Sequence, residues 1–208
     1  ATYVPTSGLV EMLGAAPQTI TATQLPSLGV GGSSLVSFNS ADVILAHHLV
    51  VDGSVTAPSN SLEVRGDLAV NGTGILGLQA AGTFTVGRDI INSGGTVSGP
   101  GQLTMTGNGS ISGSGSFQDT DLAIVTTAEV GVSGTVALGG SLTMLAGTLN
   151  CAAGSSLQVG VDFIGNGGTL RGSSGAILNI DGNVTINGTS AHPGGVPDIF
   201  SSADWHAG

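Results

Sequence analysis

Three stretches, GTVALGGSLTML (134–145), SSLQVGVDFIGN (155–166) and AILNIDGNVTIN (176–187), follow one another at a fixed 21-residue step. Aligned at that step, Val136, Leu157 and Leu178 share a column, and so do Leu138, Val159 and Ile180. Leu142, Phe163 and Val184 form a third column, and Leu149 and Leu170 a fourth. Within each stretch the apolar residues alternate with others, which is the period of a strand with one side in and one side out. Gly, Asn and Asp break each stretch into short pieces. A fixed step of about 20 residues, written in strand alternation, predicts a parallel β-solenoid with coils of about three short strands. One coil cannot bury its apolar side alone, so it stacks on its neighbours at ~4.8 Å and shares an internal ladder with them.

The pattern extends upstream with slippage. Leu62 and Phe84, Val64 and Val86, and Leu68 and Ile90 recur at a slightly longer, 22-residue step, whereas Val43 and Val64 keep the 21-residue one. Between 97 and 133 the inward columns are harder to place. Phe117 joins the column of Leu138, but Asp119 and Asp121 interrupt, which predicts an irregular coil or a bulge. Roughly seven coils would make a rod ~30 Å long at that spacing. Residues 28–190 are expected to form the solenoid. SGLVEMLGAAP (7–17) has a possible Ser N-cap and a stop at Pro17, and predicts a short cap helix. Residues 1–27 are read as an N-terminal cap or assembly segment. Residues 191–208 leave the pattern, contain Trp205, and are read as a C-terminal cap or tail.

Composition agrees with narrow, sharply turning coils. Gly makes up 37 of 208 residues, aromatics 3% and charged residues 8%. With 40% apolar residues, the chain lacks the low hydrophobicity and high charge of disorder. It has three Arg, no Lys and 13 acids, for a net charge of −10. Such a chain repels phosphate backbones and offers no basic stripe, so nucleic acid is not an expected partner. No run of 18 apolar residues occurs, and no membrane-spanning helix is expected. Cys151, the only cysteine, reads as a small buried apolar residue.

Several residues are candidates for chemistry. Thr85, Thr106, Thr127, Thr148, Thr169 and Ser190 recur at 21-residue steps. That column is read either as a structural hydroxyl ladder or as one half of an ice-binding face. TFT (83–85) and TMT (104–106) begin a second column, which Val125 and Ala146 break. Asp67 and Asp89 with Arg65 and Arg88 nearby, and the close pair Asp119 and Asp121, are the candidate carboxylates for carbohydrate chemistry. Solvated turn residues are the competing reading, since no His or Lys is expected on the regular repeat and aromatic sugar platforms are missing. His47 and His48 are adjacent, so in a strand they face opposite ways. His192, Asp198, Asp204 and His206 show no metal spacing. RGD (65–67) and sequons at Asn71, Asn108, Asn183 and Asn187 arise readily by chance in such a composition. No catalytic, cofactor-binding or metal-binding residue is assigned, and no cofactor is expected.

The wording itself carries a resemblance. GDLAVNGTG, GTFTVGRDIINSGGTVSG, GQLTMTGNGSISGSGSFQDTDLAI and GGTLRGSSGAILNIDGNVTINGT resemble the repeats of large bacterial secreted and cell-surface β-solenoid proteins, adhesin-like or autotransporter passenger-like. The likeness covers roughly residues 60–190. It implies an all-β, right-handed parallel β-helix, display outside the cell, and a structural or adhesive role without catalysis. A weaker similarity is to bactofilins, which tend to be shorter and richer in charge. The leading expectation is a non-enzymatic extracellular module of a surface fibre or adhesin, with itself as partner through its ends. A carbohydrate-active or carbohydrate-binding β-helix, with cell-surface polysaccharide as partner, is the alternative. Ice binding comes third.

Overall fold

The computed structural model describes residues 8–187 and the backbone of residues 204–207. Its strands pair in parallel into three sheets of nine, ten and nine strands. Sheet A runs from Val10–Met12 to Thr169–Gly172, sheet B from Pro17–Ile20 to Asp204–Ala207, and sheet C from Gln24–Leu25 to Val184–Ile186. The chain visits A, B and C in turn and then begins the next coil. The result is an all-β parallel solenoid with three strands per turn. The predicted columns stack as written: Val136–Leu157–Leu178, Leu142–Phe163–Val184, Leu149–Leu170 and Phe117–Leu138 are in register.

The coil length varies, and that corrects one pairing. Leu28, Leu49, Leu68, Ile90, Ile111, Val132 and Cys151 lie on one another in sheet A. The interval between them shortens from Leu49 to Leu68 and lengthens from Leu68 to Ile90. In sheet C, Val43 stacks on Leu62 rather than Val64, and Leu45 takes the place beside Val64. A shorter corner moved the register by two, which preserves which side faces inward.

The expected cap helix does not form among the described residues, which begin at Gly8. Val10–Met12 is a strand, paired in parallel with Leu28–Val30. Val10 and Met12 turn toward the core while Glu11 is exposed. The spacing of inward residues here is two, not 3.6. A helix of under three turns, flanked by Gly8 and Gly14, would bear the full nucleation cost, whereas the sheet offers a ready edge. The first coil therefore spans Val10 to Leu25, inside the segment expected as a cap. That early start lifts the stack above the roughly seven coils expected. At the other end the backbone of Asp204–Ala207 pairs with Ile177–Ile180 as a further strand of sheet B.

The irregularity expected between 97 and 133 is present, with Asp119 at a left-handed φ of 52. It is a sideways step of the core. In sheet A the upper coils, nearer the N-terminus, bury Leu28 and Val30, Leu49 and Val51, and Leu68 and Val70. The lower coils bury Val130 and Val132, then Leu149 and Cys151. By register, Val132 continues the column of Leu68, but Val130 opens a new one beneath Gly109. The column of Val70 ends at Asn92 and Gly113. Sheet B makes the same step: Val55–Leu76–Val97–Phe117–Leu138 is continuous, while the column beside it passes from Ala57 and Leu78 on one flank to Val136 and Leu157 on the other. Sheet C carries its two columns straight through the same coils: Phe84 and Val86, Leu103 and Met105, Leu122 and Ile124.

At this seam the coils are thin. Gly109 and Gly113 flank Ile111, and Gly95 and Gly99 flank Val97. Asn92 is fully buried, its Nδ2 donates to the Ser116 carbonyl at 3.0 Å, and its Oδ1 has no partner. Gly115 leaves room for that amide, because a Cβ there would run into Asn92 Oδ1. Replacing Gly115 by Ala is therefore expected to lower the free energy of unfolding by about 1–3 kcal/mol, the usual cost of overpacking. Chemical denaturation checks this. Combining it with Asn92→Ala should cost less than the two single changes added, because the clash and its partner disappear together.

Candidate functional site

Polar side chains concentrate at the corners between sheets, one residue ahead of each inward pair. At the corner from sheet C to sheet A, Ser27, His48, Asp67, Asp89 and Ser110 form one vertical file. Each accepts the backbone N–H of the next member: His48 N to Ser27 Oγ at 3.3 Å, Asp67 N to His48 Nδ1 at 3.1 Å, Asp89 N to Asp67 Oδ1 at 3.2 Å, and Ser110 N to Asp89 Oδ1 at 2.7 Å. Ser110 Oγ also donates to Asp89 Oδ1, at 3.0 Å. A second file stands at the corner from B to C, lower in the stack. There Ser141 N donates to Asp121 Oδ1 at 2.8 Å, Asp162 N to Ser141 Oγ at 3.4 Å, and Asn183 N to Asp162 Oδ1 at 2.8 Å. Corners interrupt the sheet ladder, and side-chain acceptors take over the orphaned N–H groups.

The candidate carboxylates thus have structural partners. Asp67 Oδ1 also lies 3.7 Å from Arg88 Nε, and Arg65 Nε meets Glu63 Oε1 at 2.8 Å. The Arg-Gly-Asp tripeptide is tied to the wall on both sides, through Glu63 and through the corner file. Asp119 and Asp121 are both exposed, but Asp119 is at the seam with φ 52 while Asp121 heads the second file. His47 and His48 have ring centroids 6.1 Å apart, and no group of three or more metal-ligating side chains occurs among the described residues. His192 and Asp198 lie outside the described residues. Asp204 and His206 are placed by backbone pairing with Ile177 and Asn179.

The hydroxyl column does not form. Thr85 stacks on Thr104 in sheet C, Thr148 stacks on Thr169 in sheet A, and Thr106 and Thr127 sit in corners. Variable coil lengths carry a fixed 21-residue step around the rod. Ser190 lies outside the described residues. Of the sequon asparagines, Asn71, Asn183 and Asn187 donate their amides to Asp52, Asp162 and Asn166, while Asn108 is exposed.

Sequence reasoning missed His48 as a member of a column, having expected no His on the regular repeat. The signal was present as SLGV, HLVV, DLAV, DIIN and SISG at 27, 48, 67, 89 and 110, a polar residue before each inward position. It also missed an open groove of about 460 Å³ on the outside of sheet B below the seam. Ser116, Gln118, Asp119, Ala137, Gln158 and Asp181 line it, and Gln158 Nε2 donates to Asp181 Oδ2 at 3.3 Å. Its polar lining is amides and carboxylates, set beside Phe117, Leu138 and two glycines.

Cys151 is buried at 2% exposure in the inner column, and burial pushes its thiol from 9.0 up to about 11. A thiol, not a thiolate, fills that position at neutral pH. Alkylating reagents should leave it unlabelled in the folded protein and label it in denaturant. Between pH 9 and 11 the unfolded chain releases a proton that the folded chain retains, so stability should fall as pH rises through that range. With no Lys and one Tyr in the chain, Cys151→Ala should flatten most of this slope in denaturation curves.

Comparison with known proteins gives no match to any family, curated protein or solved structure.

Proposed function

We propose that this chain is a non-enzymatic structural module, a stiff subunit of an extracellular surface fibre or adhesin that assembles through its ends. The observation that carries the reading is the strand edge at the first coil. Val10–Met12 and Pro17–Ile20 pair on one side only among the described residues, with Leu28–Val30 and Leu35–Phe38. Beside that edge, Leu9 and Leu13 are 56% and 70% exposed. An edge with unpaired N–H and C=O groups and flanking apolar side chains is a template for a further strand. The resemblance of the repeats to secreted solenoids supports the extracellular setting, and the corner files give the carboxylates a structural use.

Sedimentation velocity across a concentration series, with negative-stain images, tests this. End-to-end species should appear as concentration rises. Leu13→Lys with Thr19→Lys should abolish them while leaving the β-sheet circular dichroism intact, because edge lysines block strand addition. A particle that stays monomeric at millimolar concentration would overturn assembly through the ends.

The groove favours a second reading, binding of a neutral polysaccharide along sheet B. Gln158→Ala should then reduce retention on that glycan at least several-fold, with sedimentation unchanged. Equal retention of the variant and the parent would remove this reading.

A further inference from the structure

His48 Nδ1 has two neighbours with opposite demands. The Asp67 backbone N–H donates to it at 3.1 Å, which requires a lone pair on that nitrogen. Asp67 Oδ2 lies 3.1 Å from the same atom, a contact that turns favourable only when Nδ1 carries a proton. One nitrogen cannot serve both. We propose that His48 is a proton-operated clasp at the corner from sheet C to sheet A: neutral, it holds the Asp67 amide; protonated, it releases that amide and grips the Asp67 carboxylate.

The surroundings define the two states. His48 is half-exposed, with 46% of its side chain open to water, so protons reach it. Ser27 lies above it and accepts the His48 N–H. The His47 ring stands 6.1 Å away, and would repel a second charge when both are protonated. Beneath it, Asp67 is the carboxylate that faces it, and Arg88 lies 3.7 Å from the other oxygen of that carboxylate. The Arg65 charge is taken up by Glu63. Asp89 enters through its backbone, donating to Asp67 Oδ1. A proton on His48 therefore acts on a carboxylate that already holds the next coil. The exchange moves along the file from Asp67 toward Asp89 and Ser110.

This is a device of the wall and does not depend on assembly through the ends. It predicts a tautomer: neutral His48 must carry its proton on Nε2, leaving Nδ1 bare. Nitrogen-15 NMR of the full chain reads this directly. On acidification through the His48 titration, the Asp67 amide should lose roughly threefold to tenfold of its protection against hydrogen exchange, the span of one typical net hydrogen bond. The amides of Leu103 and Leu122, in sheet C, should not respond. His48→Gln offers an oxygen that accepts without titrating, and should keep the Asp67 amide protected at both pH values. Asp67→Asn retains the amide and an acceptor oxygen but loses the charge, so a proton on His48 should no longer be felt at the Asp89 amide. If neutral His48 carries its proton on Nδ1, or the Asp67 amide is unmoved while His48 titrates, there is no clasp.

Discussion

Each coil of this protein rests on the backbone of the one beneath it, in parallel and nearly in register. That constraint governs the rest of the structure. Stacking at ~4.8 Å leaves no room for a polar side chain to be absorbed by distance, so the inward columns are largely apolar, with Val, Leu and Phe stacked on one another. Sheet C meets the demand without interruption, from Val43 and Leu45 to Leu142 and Met144. The same rule acts outside. Like positions stack on like, and repeated charges would repel along a column. The acids that do stack are separated by donors: Asp67 and Asp89 are linked by the Asp89 amide and flanked by Arg88.

Much of this was legible in the sequence where the coil length was constant. From 134 to 187 the step never changes, so alignment alone gave the true neighbours. Upstream, corners gain or lose residues, and a fixed step misled in two ways. It set Val43 beside Val64 instead of Leu62, and it drew one hydroxyl file through Thr85, in sheet C, and Thr148 and Thr169, in sheet A. The helix at 7–17 failed for a related reason. Local capping signals described a free segment, whereas Val10 and Met12 are decided by the sheet edge they complete. Propensity yields to tertiary context where the context supplies a preformed hydrogen-bonding partner.

The sideways step at the seam was illegible because it has no local signature. Glycines at 95, 99, 109 and 113 look like any corner glycines in a chain that has many. Their meaning emerges from register, which sets Gly99 beside Leu78, Gly109 beside Val130 and Gly113 beside Asn92 on the inward flanks. With small residues on both sides of Val97 and Ile111, one apolar column can end and another begin on the opposite flank without a collision. Asn92 marks where the old column stops. A buried amide with one bare oxygen is a local cost, and Gly115 is the neighbour that tolerates it. Below that point the outside of sheet B carries the groove beside Gln158 and Asp181.

The corners bear on function as well as stability. A wall built from backbone ladders has spare hydrogen-bonding groups only where the ladders break, and here those groups are matched by side chains one coil away. The residues that first read as chemistry, the Asp67–Asp89 pair and Asp121, are the ones the corners use. The polar groups facing outward are spread along a rod about 40 Å long at nine tiers of ~4.8 Å. A ligand gathering energy from such a surface must run along several coils, as a polysaccharide in the groove would. A partner strand added at an end gains its hydrogen bonds from one exposed edge at once. Edge pairing concentrates interaction that the sides dilute, and for that reason the ends are the stronger place to look for what this protein does.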